Sequence, residues 1–310
     1  MKIRNIIFFI LLGSVLIYGQ KFKKTATAGF VFLEIPVTAR SASLGESSVA
    51  LSDLGSSSVF SNPAGLGFGE KKHSFSASYS PWIADIKHYA ASYSIQTDFG
   101  VIGLGAVALD YGTMPKTKNK GQTYEVLGDF TANAMALSLS FSRLLTEKFS
   151  FGVTVKYVKE GIDGYTADNV LFDGGILYHT GFKSLRIGAS IQNFGVETKF
   201  INDPFKMPSV LKLGLAAEVF GDMKSDYRVT AVVEALHPND GDERMNTGLE
   251  FGWKNLVYLR GGYKFFYDEE TYSFGIGINP SAVIPASVDF SFADYGRLGN
   301  ILRFTLNLSY

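Results

Sequence analysis

The chain closes on Leu302-Arg303-Phe304-Thr305-Leu306-Asn307-Leu308-Ser309-Tyr310, where Leu302, Phe304, Leu306, Leu308 and Tyr310 alternate with Arg303, Thr305, Asn307 and Ser309. Successive side chains of a strand point to opposite faces, so this is a strand with one apolar and one polar face. The same rhythm runs back through the chain. Phe149, Phe151, Val153, Val155 and Tyr157 alternate with Ser150, Gly152, Thr154 and Lys156. Met135, Leu137, Leu139 and Phe141 oppose Ala136, Ser138, Ser140 and Ser142, and Tyr272, Phe274, Ile276 and Ile278 oppose Ser273, Gly275, Gly277 and Asn279. Leu211, Leu213, Leu215 and Val219 oppose Lys212, Gly214 and Glu218.

Alternation alone suits a soluble β-sandwich as well as a membrane barrel. Three further features favour the barrel. The apolar faces are tipped with aromatics, at Tyr79, Tyr157, Tyr178, Trp253, Tyr263 and Tyr310, as at the interfacial girdles of outer-membrane barrels. The opposite faces are rich in Gly, Ser and Ala with scattered charges, as a polar or plugged lumen requires. The last strand also ends on an aromatic residue.

Counting segments gives about fourteen strands, near 73–82, 85–96, 98–111, 131–143, 148–159, 168–179, 184–195, 209–220, 226–236, 243–253, 256–267, 270–279, 286–294 and 299–310. An even count places both barrel ends on the periplasmic side, with long connections outside and short ones inside. On this reading 112–130, 160–167, 196–208 and 237–242 are long polar outer loops. Thr97, Leu144–Glu147, Thr180–Lys183, Gly221–Ser225 and Lys254–Asn255 are tight inner turns. The expected fold is therefore an all-β, transmembrane antiparallel barrel of about fourteen strands over 73–310, with an N-terminal plug.

Composition narrows the function. The 310 residues hold 29 Lys+Arg against 29 Asp+Glu, so no basic surplus exists for nucleic acid. No cysteine is present, which excludes disulfides, thiolate metal sites, Cys nucleophiles and a lipoprotein anchor. Charged residues make up 19%, below the roughly 25% usual in soluble domains. Lys2 and Arg4 precede the apolar run Ile6–Tyr18, the pattern of a signal peptide over 1–19 that is too short to span a membrane. Its removal takes two positive charges from a formal net of +0, leaving −2. The expected location is the bacterial outer membrane.

No catalytic constellation is found. Gly-x-Ser-x-Gly is absent, and Gly103-Leu-Gly105 and Gly275-Ile-Gly277 lie within strands rather than at a strand-to-helix turn. His73, His88, His179 and His237 are widely spaced, and Asn239-Asp-Gly-Asp-Glu243 lacks the ligand set of a calcium loop, so it reads as a solvated acidic hairpin. The expectation is a non-enzyme with no cofactor and no metal. Residues 20–72 lack strand alternation and are rich in Ser, Ala and Gly, which suits a compact plug with short helical pieces. Arg40 in such a plug needs a lumen carboxylate, with Asp173, Glu218, Glu234 and Glu250 as candidates.

Ala39-Arg-Ser-Ala-Ser-Leu-Gly-Glu-Ser-Ser-Val-Ala-Leu-Ser-Asp53 followed by Phe60-Ser-Asn-Pro-Ala-Gly-Leu66 resembles the N-terminal region of the PorV/PorQ family, a branch of the FadL-like outer-membrane barrels. Leu185-Arg-Ile-Gly-Ala-Ser-Ile-Gln-Asn-Phe-Gly195, Met207-Pro-Ser-Val-Leu-Lys-Leu-Gly214 and His237-Pro-Asn-Asp-Gly-Asp-Glu-Arg-Met-Asn-Thr-Gly-Leu-Glu250 are similar to its downstream motifs. The resemblance covers roughly 28–310 and implies a fourteen-stranded barrel. It also implies a plug motif at Arg40, Gly45, Asn62, Pro63, Ala64, Gly65 and Leu66. PorV-like members serve type IX protein secretion or surface attachment, so the resemblance implies outer-membrane lipid and secreted client proteins or secretion-complex subunits as partners, met by 112–130 and 196–208. FadL-like relatives imply the alternative, a channel for hydrophobic small molecules with a lateral opening in the barrel wall.

Overall fold

Fourteen antiparallel strands pair in chain order, and the first closes on the last, in a computed structural model that describes residues 27–223, 225–280 and 284–310. The expected signal peptide lies outside the described residues. The strands are β1 His73–Pro81, β2 Lys87–Thr97, β3 Gly100–Asn119, β4 Tyr124–Thr146, β5 Phe149–Ile162, β6 Tyr165–His179 and β7 Arg186–Phe194. They continue as β8 Val210–Phe220, β9 Tyr227–Pro238, β10 Arg244–Trp253, β11 Val257–Phe265, β12 Tyr272–Ile278, β13 Ala286–Asp294 and β14 Asn300–Ser309. Closure sets Phe75 against Leu308 and Tyr79 against Phe304, so the terminal strand read first from the sequence is the seam of the barrel. A closed sheet leaves no unpaired edge, the condition for crossing lipid with strands.

His73 and Tyr310 exchange backbone hydrogen bonds of 2.8 and 3.0 Å at one end of the barrel, here called the inner end. The alternation resolves as expected. Leu137, Leu139, Val153, Val155, Leu213 and Leu215 are exposed on the outside, while Ser138, Ser140, Thr154, Glu234 and Glu250 are buried within. Tyr178, Trp253 and Tyr310 stand outward at the inner end, and Tyr79, Tyr157 and Tyr263 in the outer halves of their strands.

Two of the expected outer loops are different. Residues 112–130 are not a loop but the tip of a long hairpin, because β3 and β4 run 20 and 23 residues and stay paired out to Asn119 and Tyr124. Beyond Ala132, β4 has no partner on β5, so the ribbon projects past the wall with both faces exposed. A ribbon wet on both sides needs no apolar alternation, which hid it from the periodicity. Residues 160–167 are likewise strand around a two-residue turn, Asp163-Gly164, with φ of 48° and 84°. Positive φ at both positions is the hairpin turn that matches strand twist. The stretch 196–208 is a true loop carrying a small ladder, Thr198–Lys199 against Pro204–Phe205.

Residues 28–69 run through the lumen in short pieces. They comprise 3-10 turns at Val31–Glu34, Gly55–Phe60 and Pro63–Phe68, and one helix, α1, at Ala39–Ser43. Thr38 caps α1 by accepting from the Ser41 amide at 3.4 Å. Asn62 caps the last piece by accepting from the Ala64 amide at 3.1 Å, with Pro63 at its first position. A short polar side chain ahead of proline supplies the acceptor that these frayed turns lack.

Candidate functional site in the barrel lumen

Residues 39–68 meet the barrel wall through backbone and through charge. The strand glycines let the inner segment lie directly on the wall. A Cβ on Gly262 would fall 2.0 Å from the Gly45 nitrogen, and one on Gly152 would fall 2.3 Å from the Pro63 carbonyl carbon. Gly45 itself turns with φ of 64°. Asn62 Nδ2 donates to the carbonyls of Val49 and Ile176 at 2.8 and 3.0 Å, stitching the segment to itself and to β6. Leu66 packs with Val59 and Val101, and Gly65 lies over the Ser58 hydroxyl.

Charges add to these contacts. Of the four carboxylates expected for Arg40, Glu250 is the partner, at 3.0 and 3.1 Å, and Asp53 of the same segment adds a third contact at 2.9 Å. Burial works against both charges of the Arg40–Asp53 pair. Their mutual attraction, with Glu250 adding to it for Arg40 and Arg228 and Arg186 adding to it for Asp53, outweighs burial and holds Arg40 above and Asp53 below their ordinary ranges. Glu250 also receives Arg260 at 2.6 Å and Arg228 at 3.3 Å. The other candidates have their own partners. Asp173 pairs with Lys156 at 2.7 Å and Glu218 with Arg186 at 2.6 Å, while Glu234 accepts the amides of Ser48 and Val49 at 2.8 and 2.9 Å.

The outer half differs. Small apolar side chains of the wall, including Ala90, Val107, Ala134, Val158 and Leu171, face Phe30 and Phe32 of the inner segment and Met207 of the β7–β8 loop. Phe30 stands edge-on to Phe205 at 5.4 Å, and the Gly29 amide donates to the Lys206 carbonyl at 3.0 Å. The inner segment and the loop therefore form one apolar cork.

Beside the cork lies a cavity of about 130 Å³, apolar along Leu33, Ile35, Val37, Phe60 and Leu236 and charged along Glu34, Glu46, Lys212, Arg244 and Glu270. Arg244 stacks on the Tyr267 ring at 4.7 Å, and Lys264 bridges Glu46 and Glu270. Burial and the nearby Asp240 push the Glu34 carboxyl up to about 7, with Arg244 and Lys212 opposing. Burial also raises Glu270 against the pull of Lys264. None of Arg40, Gly45, Asn62, Pro63, Ala64, Gly65 or Leu66 lines this cavity. Those residues fasten the inner segment, whereas the cavity is assembled from five separate stretches with no shared motif.

The β6–β7 ladder is interrupted next to this chamber. β6 begins at Tyr165, but its ladder with β7 starts only at Phe172 opposite Phe194, so residues 165–171 pair with β5 on one side and have no β7 partner on the other. Gln192 and Asn193 bulge opposite Asp173, with Asn193 at φ 57° and its amide donating to Asp173 at 2.8 Å. The β7–β8 loop fills the notch, tied by Asn169 Nδ2 to the Val196 carbonyl at 2.7 Å, with Leu171 and Met207 buried behind it. Among the described residues no group of His, Asp or Glu is arranged to hold a metal ion.

No family model matches this chain, and no curated protein matches it in sequence. Solved structures do match. The toluene transporter TbuX of Ralstonia pickettii aligns with a TM-score of 0.63 at 14% identity, covering 88% of this chain and 98% of its own. The toluene transporter TodX of Pseudomonas putida gives 0.58 at 14%, covering 88% and 97%. A FadL homologue of Pseudomonas aeruginosa gives 0.56 at 11%, covering 89% and 98%. Taken with the closed fourteen-strand sheet, these likenesses give the chain the fold of the FadL-like outer-membrane barrels.

Proposed function

We propose that the protein is an outer-membrane channel admitting hydrophobic small molecules from the outer end and releasing them sideways into the bilayer. The observation that carries this reading is the division of the lumen. A part-apolar cavity lies towards the outer end, while elsewhere in the lumen main chain lies on wall glycines and the Arg40–Glu250 network joins it to the wall. The sideways route this reading uses is the notch beside β6, filled by the β7–β8 loop with Met207 and Phe205 and adjoining the apolar outer surface at Val170 and Phe172. That two of the structurally similar barrels are named toluene transporters supports this reading.

The test is uptake of a radiolabelled monoaromatic hydrocarbon by a deletion strain carrying the wild-type chain or variants. Met207→Ala, which widens the notch, should raise uptake, and Leu171→Trp, which fills it, should abolish uptake while the barrel still assembles. Equal uptake by all strains, including the deletion, sinks the channel reading.

The projecting β3–β4 hairpin favours a second reading, a secretion or surface-attachment platform that meets protein clients at 112–130. Proteome comparison of the deletion strain with its parent decides it. Surface proteins with C-terminal secretion domains should then vanish from the surface and collect in the periplasm.

A further inference from the structure

One row of inward side chains belongs to neither the cavity nor the ion network. Ser291 on β13 is paired with Arg303 on β14. Ser80 on β1 lies one residue beyond the Tyr79–Phe304 pair, beside Arg303, and is itself paired with His88 on β2. All four point into the lumen and are 1% exposed or less. Ser80 is satisfied, donating to the Leu302 carbonyl at 2.8 Å. The others are not. Arg303 Nε and Nη2, both ring nitrogens of His88 and the Ser291 hydroxyl have no hydrogen-bond partner among the described residues. The corner is roofed by Trp82, which meets Tyr295 edge-on at 5.1 Å and lies 5.8 Å from the Arg303 guanidinium. Ala293 and Ile301 pack with them.

A guanidinium is charged at every accessible pH, and burying it without a counter-charge is costly. No carboxylate lies within ion-pair distance of it among the described residues. The acidic groups that bear on it, Glu46 and Glu270, are both committed to Lys264. Water would satisfy the N–H groups but not the charge. The free Nε–Nη2 edge is the fork that grips a carboxylate or holds a single halide, and His88 and Ser291 flank it as further donors.

We propose that Arg303, His88 and Ser291 bind one small monoanion, a halide or a carboxylate, beneath the Trp82–Tyr295 roof. The inference is independent of the channel reading, since the corner is not part of the cavity.

Crystals of the full chain grown in bromide test it without any variant. An anomalous peak is expected within contact distance of the Arg303 guanidinium and the His88 ring. Loss of that peak when acetate is added assigns the site to carboxylates as well, and its persistence assigns it to halides. In solution, the unfolding temperature of the wild type should rise as bromide replaces isethionate. Arg303→Met should weaken that dependence at least about tenfold, since hydrogen bonds to a charged partner carry that much. Absence of the bromide peak overturns the proposal, as does a salt response identical in wild type and Arg303→Met. If the variant does not fold, the wild-type crystals decide.

Discussion

Arg40 on α1 and Glu250 on β10 are 210 residues apart in the chain and are joined by two hydrogen bonds, of 3.0 and 3.1 Å. This contact makes the wall and the inner segment one electrostatic unit, because Glu250 also holds Arg228 and Arg260, and Arg260 holds Asp289 at 2.6 Å. Severing one member of a buried network leaves the others with unbalanced charge. Arg40→Met should therefore cost about 3 kcal/mol, the low end for a broken buried pair, because Glu250 keeps two arginines. Arg40→Lys should recover only part of it, since an ammonium does not reproduce the fork. Thermal unfolding on the purified barrel checks both, and chymotrypsin cleavage within 28–69, which holds Phe30, Phe32, Phe60 and Phe68, should accelerate in the Met variant.

Neighbouring glycines on β11 offer a sharper contrast. Gly262 faces the lumen, where a Cβ would fall 2.0 Å from the Gly45 nitrogen, while for Gly261 the nearest atom is Phe274 at 3.8 Å. Gly262→Ala should displace the inner segment and cost on the order of 1–3 kcal/mol, as overpacking does. Gly261→Ala should be near neutral. Unfolding midpoints of the two variants give the comparison, and equal values would show that the segment does not press on the wall.

Glu34 makes the outer chamber sensitive to pH. Its folded carboxyl titrates at about 7 against an ordinary 4.5, so the folded state binds that proton more tightly than the unfolded chain. The resulting stability is present below about 4.5 and is lost as pH rises through about 7. Glu34 as a residue is exposed although its carboxyl group is crowded by the cavity lining, and that exposure screens the effect to on the order of 1 kcal/mol. Midpoints measured from pH 5 to 8 should fall with rising pH, and Glu34→Gln should flatten the slope.

Lipid contact is tested on two exposed leucines of one strand. Leu139 and Leu127 of β4 are 56% and 54% exposed, but Leu139 sits on the paired wall and Leu127 on the projecting hairpin. Arginine at a lipid-facing mid-wall position costs roughly 2–4 kcal/mol and near or beyond the interface roughly 0–1. Urea titration of refolding into lipid vesicles should separate Leu139→Arg from Leu127→Arg by about that difference.

Removing the hairpin tip separates the two functional readings. The ribbon beyond Ala132 lies past its β5 partner and meets the β5–β6 turn through the Lys116–Asp163 contact at 2.6 Å and the Asp163 amide donating to the Thr131 carbonyl at 3.3 Å. Replacing 113–130 with a two-residue turn should leave assembly and hydrocarbon uptake intact. Loss of surface proteins in that strain would favour the secretion platform.

Period-2 alternation is local, and this sheet has an exposed apolar face outside and a small or polar face against protein inside, so the order of the strands and the face of each were legible in the sequence from Leu302–Tyr310 backwards. The rule fails where its physical cause ends. At 112–130 both faces meet water, so paired strand and loop have the same composition. The sequence also marked Arg40 as needing a carboxylate, because a buried charge must be compensated. Four inward carboxylates met that need equally, and only the register of β10 against α1 selected Glu250. The cavity, the notch beside β6 and the unpaired Arg303 had no local signature at all. Each arises where distant stretches converge or fail to pair, and that is decided by the closure of the sheet rather than by any segment within it.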